Sequence, residues 1–127
     1  MRQGFYLFLV LLITLASCSS YKAEVVDSKK FKKVLEDSDV QLIDVRTPGE
    51  FVNGHLPKAK NIDFFNPDFQ RLLGELDKGK PVAVYCQVGQ RSHRVYELLQ
   101  ELDFKEVYEL EGGLAAWHQA GEPLVKR

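Results

Sequence analysis

Val82-Ala83-Val84-Tyr85-Cys86-Gln87-Val88-Gly89-Gln90-Arg91-Ser92 is the stretch that decides the fold. It opens on a short, unbroken apolar run, the pattern of a strand covered on both faces of a parallel sheet. A glycine-containing turn follows, then a segment of helical period with Val95, Leu98, Leu99 and Leu102 on one face. This order puts Cys86 at the carboxyl end of a buried strand and in front of a helix N-terminus. Backbone N–H groups and the helix dipole favour negative charge there, which lowers a thiol pKa and makes a nucleophile. Gly89 lets the backbone curl, so that successive N–H groups turn inward as an anion nest. Arg91 adds a permanent charge suited to bidentate oxyanion binding. Gln87, Val88, Gly89, Gln90 and Arg91 thus read as a small anion cradle centred on the Cys86 sulfur.

Strand and helix patterns alternate on either side of it. Ala23 to Val26 predicts a short strand, and Asp27 or Ser28 can cap a helix carrying Phe31, Val34 and Leu35. Val40 to Val45 predicts a strand. Thr47-Pro48-Gly49-Glu50 has the form of a capping box, with Pro48 at N1 and Glu50 at N3, and Gly54 and Pro57 end that helix early. Ala59 to Ile62 predicts a small strand, and Asn66-Pro67 starts a helix with Phe69, Leu72, Leu73 and Leu76 inward. After the turn at Lys78 to Pro81 come the central strand, a helix over 91–102, a strand over 107–110, and a helix through Leu114 and Trp117 stopped by Gly121 and Pro123. The alternation predicts an α/β sandwich with a central, mostly parallel sheet flanked by helices on both faces. Ligands of such sheets bind outside the carboxyl ends of the strands, where Cys86 lies.

The chain has 127 residues, 45% hydrophobic and 28% charged, which suits one domain with a real core. Its 17 basic and 18 acidic residues leave a net charge of -1, which gives no support to a nucleic-acid partner. The lysines of Ser28 to Lys33 alternate with apolar residues and read as the solvated face of an amphipathic helix. His55, His93 and His118 are scattered without ligand spacing, so no metal site is expected. Met1-Arg2 and the apolar run Phe5 to Leu15 fit the front of a secretory signal and are too short to span a bilayer. Leu15-Ala16-Ser17-Cys18 resembles a bacterial lipobox. It implies a signal peptide over 1–17, lipid on Cys18, a tether over 18–22, and a domain over 23–127 that is exported and held at a membrane. An ordinary cleaved signal with an incidental Cys18 is the plainer alternative. With Cys18 lipidated, Cys86 is a free thiol, which an export compartment tends to oxidise unless it is used.

Two flanking signatures accompany the cysteine loop. Leu42-Ile43-Asp44-Val45-Arg46, Glu50-Phe51, Gly54-His55-Leu56-Pro57, Ala59 and Asn61-Ile62 resemble the amino-terminal signature of rhodanese-like domains. Leu110-Glu111-Gly112-Gly113-Leu114-Ala115-Ala116-Trp117 followed by Gly121-Glu122-Pro123-Leu124 resembles their carboxyl-terminal signature. Order and spacing match from about Ala23 to the end, so the chain looks like a single-domain rhodanese, a sulfurtransferase with the rhodanese-like sandwich. The resemblance implies that Cys86 takes a sulfane sulfur from a donor such as thiosulfate or a persulfide, becomes a persulfide, and passes the outer sulfur to a thiol or cyanide. It further implies loop N–H groups that hold the persulfide, an Arg91 that binds donor oxyanion and shapes the loop, and no cofactor. Many thiosulfate-active members carry Lys or Arg directly after the cysteine, whereas this chain has Gln87, which predicts weaker capture of the thiosulfate dianion.

Two other functions fit parts of the pattern. One is a membrane-anchored sulfur relay or binding module that discharges only on a partner protein. The other is a phosphatase or arsenate reductase of related shape, but those loops are C-x₅-R, and Cys86 to Arg91 is C-x₄-R, which suits a single sulfur atom better than a tetrahedral phosphate. The remaining polar residues take plainer readings. Asp44 and Arg46 are expected to be structural, with Arg46 paired to Glu50. His55 is expected to make a turn hydrogen bond, His93 to be exposed, and His118 to sit at the surface or in packing. Trp117 is expected in the core and Tyr85 as a simple strand residue. Ser92 either bonds the loop or sulfur, or serves the helix N-terminus.

Overall fold

Val82–Tyr85, every residue of it buried, forms the middle of the sheet and is apolar because both its faces are covered. The computed structural model describes residues 20–127 and places ten elements in chain order. They are β1 (Lys22–Val26), α1 (Ser28–Val34), β2 (Gln41–Asp44), α2 (Pro48–Val52), β3 (Lys60–Asn61), α3 (Phe69–Gly74), β4 (Val82–Tyr85), α4 (Gln90–Glu101), β5 (Glu106–Leu110) and α5 (Gly113–Gln119). The strands order as β1-β5-β4-β2-β3, and every pairing is parallel.

Side chains of β4 alternate between two cores. Val82 and Val84 face a cluster with Leu73 of α3 and Val95 and Leu99 of α4. Ala83 and Tyr85 face a cluster with Phe31 of α1 and Leu114 and Trp117 of α5. Full burial of a side chain such as Phe31 stabilises the fold by about 1.5–3 kcal/mol. Helices therefore cover both faces, as the alternation required.

Local signals account for most boundaries. Asp27 caps α1, accepting from the Lys30 N–H at 2.9 Å. Thr47 and Glu50 form the capping box of α2. Several bounds differ from the sequence expectation. The edge strand shrinks to Lys60–Asn61, the two residues that pair in register with β2, and ends as the Ile62 N–H donates to the last β2 carbonyl, that of Asp44, at 2.9 Å. The helix expected from Asn66 begins at Phe69, because the Asn66 side chain accepts the Asp68 N–H at 2.9 Å and spends the segment on a turn. At the carboxyl end, Val125 makes an antiparallel bridge to His55. Residues 1–17 and Cys18, to which the signal and lipid expectations attach, lie outside the described residues.

Candidate active site

Cys86 follows β4 directly and is 1% exposed. The loop after it is held open from behind. Its carbonyls bond to the first free N–H groups of α5: Leu114 donates to the Cys86 oxygen at 2.8 Å, and Ala115 to the Gln87 oxygen at 3.1 Å. A trans peptide points its N–H opposite its carbonyl. Anchoring these oxygens outward therefore turns the following N–H groups inward, toward the sulfur. The approach is close enough to require glycine at 113, where a Cβ would lie 2.5 Å from the Cys86 oxygen. Gly89 supplies the other special conformation, φ +102°, and its N–H donates to Cys86 Sγ at 3.1 Å.

Burial alone pushes the Cys86 thiol up, but the Ser92 hydroxyl and the backbone N–H groups of Ser92, Gly89 and Val88 outweigh it and bring the thiol below its ordinary value. The sequence expectation of an activated thiol at a strand end thus has a concrete geometry. Val88 and Gln90 are exposed on the loop's outer side, and Gln87 is half-buried.

Two ion pairs frame the loop, and one differs from the expectation. Arg46 pairs with Asp44, not with Glu50. Its Nε and Nη2 donate to the Asp44 carboxylate at 2.7–3.1 Å, Nη2 also donates to the Gly54 carbonyl at 2.7 Å, and Nη1 reaches Gln87 Oε1 at 3.2 Å. The physical reason is burial. Asp44 is fully buried at the end of β2 and Arg46 is 3% exposed beside it, so each is the other's compensating charge. Glu50 is left for Arg91, which binds it in a fork with both contacts at 2.9 Å. The Arg91 hydrogen bond, against a partial burial cost, pulls the Glu50 carboxyl down to about 2. The loop's formal cation is accordingly neutralised at rest.

The other polar residues fall into place around this frame. His55 is buried, with Nδ1 2.8 Å from the Phe51 carbonyl oxygen and its ring stacked on Phe51. His118 is exposed, and Trp117 is buried with its Nε1 donating to the Pro123 oxygen at 2.9 Å. Tyr85 does more than fill the strand: its hydroxyl accepts the Leu56 N–H at 3.0 Å, tying β4 to the turn after α2. Burial first, then the nearby Asp44 charge, pushes the Tyr85 phenol well up. Ser92 is fully buried, and its one hydroxyl hydrogen has two acceptors within reach, Glu109 Oε1 at 3.2 Å and the Cys86 sulfur. His93 is exposed as expected, but Nδ1 lies 2.8 Å from Glu109 Oε2. Sequence reasoning missed Glu109. A signal existed, since a carboxylate in the middle of a buried strand must have partners.

Fold and loop together define a small α/β domain that holds a buried thiol, brought below its ordinary value, at the carboxyl edge of a parallel sheet. Residues 27–120 match the rhodanese-like domain family, and the chain belongs to it. It is 35% identical over 88 residues to the thiosulfate sulfurtransferase GlpE of Shewanella oneidensis, covering 69% of this chain and 85% of that protein. It is 33% identical over 101 residues to a sulfurtransferase of Allochromatium vinosum, covering 79% and 92%. A crystal structure of a rhodanese-like domain protein from Staphylococcus aureus superposes with a TM-score of 0.69 at 30% identity, covering 82% of this chain and 98% of that one. The sulfurtransferase family and the α/β fold expected from the sequence are therefore the ones found.

Proposed function

We propose that this protein moves a sulfane sulfur through a persulfide on Cys86. The observation that carries the reading is the cradle itself: a buried thiol at a strand end, a Gly89 N–H 3.1 Å from the sulfur, and a thiol held below its ordinary value by hydrogen bonds. The Cys86 thiolate attacks the outer sulfur of a donor, thiosulfate or a persulfide, and the donor's remainder leaves with the electron pair. A thiol or cyanide then takes that sulfur and returns Cys86 as thiolate. Gln87, Val88, Gly89, Gln90 and Arg91 shape the cradle and contact donor or persulfide. Since Glu50 already neutralises Arg91, a persulfide donor suits the loop better than the thiosulfate dianion. The short C-x₄-R spacing supports sulfur over phosphate.

Intact-mass measurement after incubation with thiosulfate or a persulfide donor should show one added sulfur atom, absent in Cys86→Ser. No added sulfur with any donor would sink the reading. Val88, 57% exposed, and Phe65, 66% exposed, favour a second reading in which a protein takes the sulfur at the loop's apolar rim. A persulfide stable to small thiols but discharged by a partner would select it. The reading also includes export and a lipid anchor on Cys18. Recovery of the wild type in membranes and of Cys18→Ser in the soluble fraction tests that part.

A further inference from the structure

Glu109 is a buried carboxylate that the sulfur-transfer scheme leaves unused. It stands on β5, beside β4, and is 3% exposed. Each of its oxygens has a partner. Oε1 accepts from the Ser92 hydroxyl at 3.2 Å, and Oε2 lies 2.8 Å from Nδ1 of His93. Ser92 in turn is one of the groups that hold the Cys86 sulfur. His93 differs from the other two in being about half exposed, at 52%. It lines an open groove of about 680 Å³ beside the active-site loop, together with Phe65, Arg91 and Arg94. A buried carboxylate bound to one ring nitrogen fixes the tautomer and orientation of an imidazole. The other nitrogen, Nε2, lies 3.6 Å from Glu97 Oε1 and makes no hydrogen bond to it, which leaves it able to take a proton as an oriented base does.

We propose that His93 is the general base for a thiol acceptor bound in this groove, with Glu109 as its positioning residue. This rests on the sulfurtransferase reading above and narrows its acceptor to protonated thiols. The acceptor's S–H bond breaks as its proton passes to Nε2 of neutral His93. The resulting thiolate bonds to the outer sulfur of the Cys86 persulfide. The bond from that sulfur to Cys86 breaks, and its electron pair stays on Sγ as the thiolate held by the loop. The acceptor leaves as a persulfide, and the imidazolium returns its proton to that product or to water. No oxidant or reductant beyond the two sulfur compounds is needed. The charged groups around His93 are Glu109 from β5, Glu97 on its own helix at 3.6 Å from Nε2, and Arg91 and Arg94 on the groove wall; the Tyr96 ring stacks at 5.6 Å. Glu109, and to a smaller extent Glu97, raise the His93 pKa, so the base is free at higher pH than an ordinary histidine.

The test loads the full chain with one sulfur and follows single-turnover discharge across pH onto two acceptors. One is 2-mercaptoethanol, protonated near neutrality; the other is 4-nitrothiophenol, acidic enough to be ionised already. In the wild type, discharge onto 2-mercaptoethanol should rise with pH through the His93 titration. His93→Gln should lower the ratio of the 2-mercaptoethanol rate to the aryl thiolate rate on the order of a hundredfold. His93→Ala should regain 2-mercaptoethanol discharge when imidazole is added. Glu109→Gln should lower the same ratio by less, because an amide still orients the ring. Equal slowing of both acceptors by His93→Gln, or an unchanged ratio, overturns the base. A wild-type chain that takes up no sulfur overturns the sulfurtransferase reading itself, and this inference with it.

Discussion

Glu50→Gln separates two jobs that Glu50 performs at once. Its carboxylate caps α2, accepting from the Thr47 N–H at 3.4 Å and the Thr47 hydroxyl at 3.1 Å, and it receives both arms of Arg91 at 2.9 Å. Glutamine at this helix position keeps the capping box through its one carbonyl oxygen, while the substitution removes the charge and the second acceptor of the Arg91 fork. In the folded protein the Glu50 carboxyl titrates at about 2 instead of 4.5, first because of the Arg91 hydrogen bond. At about 1.4 kcal/mol per unit this sets a ceiling of roughly 3 kcal/mol. The two side chains are 21% and 33% exposed, and solvent screening brings the expected loss down to about 1–2 kcal/mol. Because the folded value is depressed, this stability is fully present above 4.5 and is lost as pH falls from there toward about 2. Urea unfolding followed by circular dichroism should show a gap between wild type and variant at neutral pH that closes over that acid window. The same substitution frees Arg91 at the loop, so loading of Cys86 should half-saturate at lower thiosulfate concentration, by on the order of tenfold for one released charge-assisted contact. A stability gap that does not change with pH would refute the ion-pair account. An unchanged thiosulfate dependence would remove Arg91 as a donor contact.

Three further substitutions probe the cradle. Gly113→Ala places a Cβ 2.5 Å from the Cys86 oxygen at φ +62°, and should cost at least about 1–3 kcal/mol while slowing sulfur loading, read by melting temperature and intact mass. Ser92→Ala removes a hydroxyl that favours the thiolate, so the pH midpoint for alkylation of Cys86 by iodoacetamide should rise; a lower midpoint would contradict the site's electrostatics. Tyr85→Phe leaves the buried Leu56 N–H without its acceptor and should cost about 1–3 kcal/mol in urea unfolding, with sulfur loading retained.

Much of this architecture is legible in local patterns. The apolar run at Val82–Tyr85, the capping box at Thr47 and the inward leucines of α4 are short-range features, and each forms where its period and capping chemistry place it. The cysteine, Gly89 and Arg91 of the cradle likewise lie within six residues, so their grouping around one loop can be read from the chain. Boundaries slip where a side chain competes with the backbone, as at Asn66, or where an edge strand has a partner on one side only, as at Lys60–Asn61.

By itself, then, the sequence determined the α/β alternation, the place of the thiol and the membership in a sulfurtransferase family, because strand and helix period and a six-residue loop are set by neighbours along the chain. Only the tertiary structure decided which charges meet. Glu50 and Arg91 stand 41 positions apart and touch because the parallel pairing of β2 with β4 brings the start of α2 to the loop after β4. Ser92, His93 and Glu109 join because β5 lies beside β4 in the sheet order. A buried charge takes the partner that packing brings within reach, and that choice is not written in spacing. The residues of the cradle at Cys86 belong to one loop, while the α5 contacts that turn its N–H groups inward, the neutralised arginine and the oriented histidine are properties of the tertiary structure.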